Sequence, residues 1–150
     1  TTTKRFTNFS NKTMTIFSRI IAGEIPCYKI AEDDNYFAFL DINPLTKGHT
    51  LIVPKIEEDY IFNLTDETLS GMMIFAKKVA LSIEKSVDCV RVGVAVIGLE
   101  VPHAHIHLIP INSEADMNFR NEKLKLSAEE MNKIAASIAA DFCKPGTKNI

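Results

Sequence analysis

Four histidines fall in two places: His49 at the head of a β-branched run, and His103, His105 and His107 at alternate positions within residues 101–111. Successive side chains of a strand point to opposite faces, so the three imidazoles would share one face and line a surface, with Ala104, Ile106 and Leu108 turned to the core. At ~3.3 Å per residue, neighbouring rings are rooted about 6.6 Å apart, near enough to cooperate. An imidazole titrates near neutrality, and one ring nitrogen serves as nucleophile or proton donor according to what the other bonds. A neutral ring attacking phosphorus, beside a protonated ring that neutralises the phosphate oxygens, is a metal-free route to phosphoryl or nucleotidyl transfer. His-x-His is also a common metal-ligand pair, and His49 offers a further nitrogen. Three ligands on one straight strand, however, do not converge at ~2.0–2.1 Å on one zinc ion without a bulge, and no acidic residue within the motif completes a metallohydrolase signature. Histidines that only satisfy local hydrogen bonds are the bland alternative, and it leaves the clustering unexplained.

The elements that must position these rings follow from periodicity. Ile16, Phe17, Ile20 and Ile21 have helical spacing, ended by Gly23 and Pro26. Residues 27–32 and 36–42 read as two strands around the turn Asp33-Asp34-Asn35, and residues 49–54 as a third that ends at its proline. Thr65 is the expected N-cap of the longest helix, whose Leu69, Met72, Met73, Ala76, Val79, Ala80 and Ile83 hold one face. Residues 90–97 read as a buried strand and 101–111 as a further strand. Ser127 and Glu130 form a capping box before an amphipathic helix with Met131, Ile134, Ile138 and Phe142, stopped by Pro145-Gly146. The expected fold is α+β: a mainly antiparallel five-stranded sheet with a long helix, a short N-terminal helix and a C-terminal helix.

Composition agrees with one globular domain over residues 14–150. The chain has 150 residues, 46% of them hydrophobic and 24% charged, and a domain of this length buries ~68–70% of its unfolded surface without staples. A net charge of −2 gives no global reason to bind nucleic acid or an anionic membrane. No apolar run approaches the ~18 residues of a membrane span. Cys27, Cys89 and Cys143 are too scattered for a disulfide framework, which points to a reducing, cytoplasmic setting. Residues 1–13 are polar and carry Lys4, Arg5 and Lys12 without an acid; they read as a disordered tail, with a weak organellar presequence as the alternative.

The segment Val101-Pro-His-Ala-His-Ile-His-Leu-Ile-Pro110 resembles the motif His-φ-His-φ-His-φ-φ of the histidine triad nucleotide-binding superfamily. Residues 16–26, 39–44 and 48–55 resemble its other characteristic stretches in the same order, so the likeness covers residues 15–111. The third histidine is kept as His107 where the uridylyltransferase branch has glutamine, which implies a Hint-like hydrolase. By that resemblance His105 would attack an α-phosphate and become nucleotidylated, His107 would contact the phosphate, His103 would support the active ring and His49 would complete the network. Asp41 would hold the ribose hydroxyls, and Ile16, Phe17, Ile20 and Phe39 would line a slot for the base. Asn43, Glu100 and Val101 would be further nucleotide contacts. The resemblance implies a purine nucleotide substrate, no metal or organic cofactor, and a homodimer formed through the long helix and an edge strand.

Several positions depart from the family pattern. Gly98-Leu99-Glu100-Val101 stands where Gly-Gln-Ser/Thr-Val is usual, so a hydroxyl near the phosphate is lost. An ionised Glu100 would repel phosphate, and a protonated one would donate to the leaving group. Alternation from His103 puts Val101 on the triad face and Glu100 on the other, unless Pro102 bends the strand. An apolar stretch, residues 92–97, replaces an Asn- and Gly-rich loop. Thr15 and Ser18 occupy the places of a Cys-x-x-Cys pair that helps hold zinc in many bacterial relatives, which argues against a structural zinc. The chain has no tryptophan, so it lacks the C-terminal Trp of animal Hint proteins. The expected activity is hydrolysis at the α-phosphate of purine nucleoside phosphoramidates or dinucleoside polyphosphates, releasing a nucleoside monophosphate. Its rivals are a catalytically weak nucleotide-binding regulatory module and a metal-dependent hydrolase using the same histidines.

Overall fold

The computed structural model describes residues 14–142; the tail expected over 1–13, Cys143 and the Pro145-Gly146 stop lie outside the described residues. Helix α1 (Ile16–Ile21) is capped by the Thr15 side chain, which accepts from the Ser18 N–H. Strands β1 (Lys29–Glu32), β2 (Tyr36–Leu40) and β3 (Thr50–Pro54) precede helix α2 (Asp66–Ser86), which is followed by β4 (Arg91–Ala95), β5 (Ile106–Ile111) and helix α3 (Ala128–Phe142). Short 3-10 turns lie at Ile61–Asn63 and Glu114–Met117. The five strands form one antiparallel sheet in the order β1-β2-β3-β5-β4. The expected caps form: Thr65 Oγ1 accepts from the Thr68 N–H at 3.1 Å, and Ser127 Oγ from the Glu130 N–H at 3.1 Å. Among the described residues no helix is long and apolar enough to cross a membrane.

Alternation along β2 and β3 divides the interior in two. Tyr36, Ala38, Leu40 and Ile52 join Met72, Ala76, Val79, Ile83, Met131, Ile134 and Ile138 of α2 and α3 on one face. Phe37, Phe39, Leu51 and Val53 meet Phe17 and Ile20 of α1 on the other. With both faces covered, every residue of β2 and β3 is buried, a pattern that hides the period of two.

Several expectations are corrected. The first two strands are shorter than 27–32 and 36–42, and a register irregularity interrupts their pairing between Lys29 and Ala31. The segment over 90–97 is not a buried strand: β4 pairs only with β5 at the sheet edge, and its Val94 is 50% exposed. The last strand starts at Ile106, not Val101, because residues 99–103 bend out of extended pairing. Met73 lies outside the core at 47% exposure, and Phe75 packs in its place.

Ile52 is fully buried under α2 and α3. Ile52→Ala is therefore expected to cost about 2–5 kcal/mol, read as a lowered midpoint in urea denaturation with little change in slope.

Candidate functional site

Adjacent central strands bring the two groups of histidines together. β3 pairs with β5 so that Leu51 stands opposite His107, and His49 precedes β3 by one residue. Gly48 makes that entry workable: its φ is +95°, and a Cβ there would lie 2.9 Å from Val87 Cγ2. His103, His105 and His107 do project away from Ala104, Ile106 and Leu108, which sit in the α2/α3 core. The row is nevertheless not a surface, since His49, His103, His105 and His107 are 2%, 0%, 7% and 9% exposed. Phe17 of α1 covers it, its ring centroid 5.0 Å from His105 and 5.7 Å from His103.

Backbone groups decide which nitrogen of each ring carries the proton. The His103 carbonyl can only accept, so His105 Nδ1, 2.7 Å away, must be its donor, leaving the Nε2 lone pair free. The Leu45 N–H donates to His49 Nδ1 at 3.0 Å. His49 Nε2 therefore bears hydrogen and donates to His107 Nδ1 at 2.9 Å, which leaves His107 Nε2–H as a donor. His103 Nε2 donates to the Pro54 carbonyl at 2.8 Å, so its Nδ1 accepts from Thr15 Oγ1 at 2.8 Å.

These assignments hold for neutral rings, and burial favours the neutral form of His49, His103 and His107. Desolvation, aided by neighbouring imidazoles, pushes His49 down to about 3 and His107 down to about 4. Desolvation also lowers His103, against the opposing pull of the Pro54 carbonyl and Glu57. The expected protonated partner ring is thus corrected: near neutral pH His107 is a neutral donor in the unliganded protein.

A cavity of about 690 Å³ opens beside His49, His105 and His107, while His103 lies behind its wall. Ile16, Phe17, Ile20 and Phe39 form apolar wall as expected, with Ile16 itself 48% exposed at its edge. Asp41, Asn43, Glu100 and Val101 also line it. Asp41 Oδ1 accepts from the Asn43 N–H at 2.9 Å, and its Oδ2 lies 3.6 Å from His49 Nε2. Burial raises the Asp41 carboxyl above its usual range, with the Asn43 N–H opposing. Glu100 reaches the cavity wall because the 99–103 bend cancels the alternation that would have turned it away.

Phe119, Arg120 and Lys123 also line the cavity and escaped sequence reasoning. They lie on an irregular segment between β5 and α3, where no periodicity marks them; a lone aromatic followed by two cations was the only signal. The Phe119 ring stands edge-on 4.9 Å from His107. Glu57 was missed for the same reason. Its Oε1 accepts from the Thr15 N–H and the Ser18 hydroxyl, both at 2.8 Å, and so ties α1 to the chain after β3.

Two places could be asked to hold a metal. Thr15 Oγ1 and Ser18 Oγ are 3.2 Å apart and bonded to His103 and Glu57; hydroxyls so engaged do not fit a zinc centre, which wants thiolate or imidazole donors. Asp41, His49 and His107 bring ligand atoms within 4.8 Å of one another. Both His49 nitrogens are already bonded, so a cation there would have to break a buried N–H···N bond.

Residues 22–114 match the family model for the HIT domain. An uncharacterized HIT-like protein of Borreliella burgdorferi is 35% identical over 85% of this chain and 97% of its own length. An adenosine 5'-monophosphoramidase, HNT1 of Saccharomyces cerevisiae, is 36% identical over 76% of this chain and 73% of its own. A crystal structure of a zinc-bound histidine triad family protein from Mycobacterium smegmatis superposes with a TM-score of 0.71 at 26% identity, covering 85% of this chain and 91% of that one.

The folded-state depression of His49 and His107 has a defined sign. Below the ordinary value of 6.5 the unfolded chain takes up protons that the folded chain refuses until about 3 at His49 and about 4 at His107. These groups therefore withdraw stability as pH falls from 6.5, each with a slope of up to ~1.4 kcal/mol per pH unit. Imidazole ¹⁵N NMR at pH 5.5 is expected to find both rings neutral with hydrogen on Nε2, and His105 with hydrogen on Nδ1. Charged rings at that pH would contradict the hydrogen-bond assignment.

Proposed function

Because the chain belongs to the HIT domain family, we propose that it hydrolyses purine nucleotides at the α-phosphate, acting on nucleoside phosphoramidates or dinucleoside polyphosphates. The observation that carries this reading is the 2.7 Å bond from His105 Nδ1–H to the His103 carbonyl, which leaves the Nε2 lone pair directed away from it in a ring that lines the cavity. In the first step that lone pair attacks the α-phosphorus, the phosphorus bond to the leaving group breaks, and the leaving group departs with the electron pair, as an anion when it is a phosphate chain and with a proton taken from solvent when it is an amine. Positive charge developing on the His105 ring is stabilised by the His103 carbonyl dipole. His107 Nε2–H donates to a non-bridging phosphate oxygen. In the second step water attacks phosphorus, the P–N bond breaks with its pair returning to Nε2, and the water proton passes to solvent, releasing a nucleoside monophosphate.

Asp41 is read as the acceptor for the ribose hydroxyls, beside Asn43, and Ile16, Phe17, Ile20 and Phe39 as the slot for the base. His103 and His49 are positioning residues: the first presents its carbonyl to His105, the second orients His107. Val101 and Glu100 border the phosphate. The Glu100 carboxylate favours one second reading, a regulatory module that binds nucleotide without turning it over, because an anion beside the phosphate weakens binding of the transition state. The proposal extends to a homodimer through α2 and β4; the exposed Val90, Val94 and Val96 along that edge support it, and sedimentation velocity reads the mass directly.

His105→Ala is expected to lower kcat for adenosine 5'-phosphoramidate by more than about 1,000-fold, in the presence of a strong chelator and with AMP still bound. Wild-type binding of AMP without release of product from either substrate class would instead favour the regulatory module. Activity that disappears with the chelator would favour a metal-dependent reaction.

A further inference from the structure

His49 and His107 bring no positive charge to the cavity near neutral pH, since burial holds both uncharged. A bound nucleotide brings at least one negative charge, and a leaving group that is a phosphate chain brings more. Among the described residues that line the cavity, the only lysine and arginine are Lys123 and Arg120, and the attack by His105 uses neither.

The segment that carries them is built into the site. Phe119 packs 4.9 Å from the His107 ring. Lys123 Nζ donates to the carbonyls of Phe119 and Asn121 at 2.5 Å and 3.0 Å, which leaves its third N–H for a ligand. The Leu124 N–H donates to the Pro44 carbonyl at 2.9 Å, pinning the segment to the loop that holds Asn43. The backbone that carries the two cations is thereby held at the cavity wall next to His107, with Lys123 itself fixed on its own loop.

Leaving-group chemistry gives these cations a use. An amine departs only if it gains a proton, and neither His49 nor His107 can supply one, because loss of the N–H from a neutral imidazole would leave an imidazolate. A phosphate chain departs as an anion and needs neutralising charge instead.

We propose that Arg120 and Lys123 form a subsite for an anionic leaving group, so that the preferred substrates are nucleotides whose α-phosphate continues into a phosphate chain. The inference rests on the nucleotidyl-transfer reading of His105. As the His105 Nε2–P bond forms, the P–O bond to the chain breaks, and the chain oxygen keeps the electron pair as a charge stabilised by the guanidinium and the ammonium. No proton is required in that step.

The test compares kcat/KM for diadenosine tetraphosphate and for adenosine 5'-phosphoramidate, using the full chain, Arg120→Glu, Arg120→Lys, Lys123→Gln and His105→Ala. Arg120 is exposed, so its substitutions threaten no core, whereas Lys123 also ties its own loop. The expected result is a wild-type preference for the polyphosphate, with Arg120→Glu lowering the polyphosphate-to-phosphoramidate ratio about 10-fold or more and Arg120→Lys restoring most of it. Lys123→Gln should move the ratio in the same direction. A ratio that Arg120→Glu and Lys123→Gln leave unmoved, with both substrates slowed equally or not at all, overturns the subsite while leaving the reaction intact, provided that His105→Ala abolishes both activities. If His105→Ala retains turnover, the nucleotidyl-transfer reading falls, and the subsite with it.

Discussion

A neutral imidazole has one donor and one acceptor, and burying several together obliges each ring to match what its neighbours leave open. In this protein the matching is imposed from outside the row, by the Leu45 N–H, the Pro54 carbonyl and the His103 carbonyl. From those three backbone groups follow a lone pair on His105 Nε2 and a hydrogen on His107 Nε2. The same atoms would be ambiguous in water, where either tautomer is accessible. Nucleophile and donor are thus distinguished by peptide groups, which do not titrate.

That arrangement depends on sheet register. Leu51 opposite His107 places His49 within bonding distance of His107, and a slip of one residue would send the imidazoles into the α2/α3 core and Ile106 and Leu108 out of it. Helix α1 supplies the other half of the environment. It is only six residues long and stays in place through Phe17 and Ile20 against the sheet, and through Thr15 and Ser18 on Glu57. Phe17 stands edge-on to His103 and His105, while burial of His49 and His107, both beside Phe119, is what depresses the basicity of those two rings.

Much of this was legible in the chain. The caps at Thr65 and Ser127 are local signals, and the alternation of His103, His105 and His107 against Ala104, Ile106 and Leu108 survived even where the strand did not. The strand boundary failed because Pro102 and its neighbours bend, and that bend, for which the proline allowed, puts Glu100 at the cavity wall where strict alternation would have turned it away. Apolar composition over 90–97 looked like burial, yet composition does not say whether a strand has two neighbours or one. Phe119, Arg120, Lys123 and Glu57 were invisible for a shared reason: each acts from irregular backbone, where no period links sequence spacing to direction in space.

The position of β5 has a further consequence. It is the last strand in the chain, yet it sits between β3 and β4, and the bond between His49 and His107 spans 58 residues. β1, β2 and β3 can pair through short connections, whereas the β3–β5 ladder must wait for closure of a long loop containing α2 and β4, an entropic cost that local structure does not defray. Assembly of the reactive centre therefore coincides with completion of the sheet. A chain caught before that closure holds folded secondary structure and no aligned imidazoles, so recovery of the site during refolding reports on the least local step of the fold.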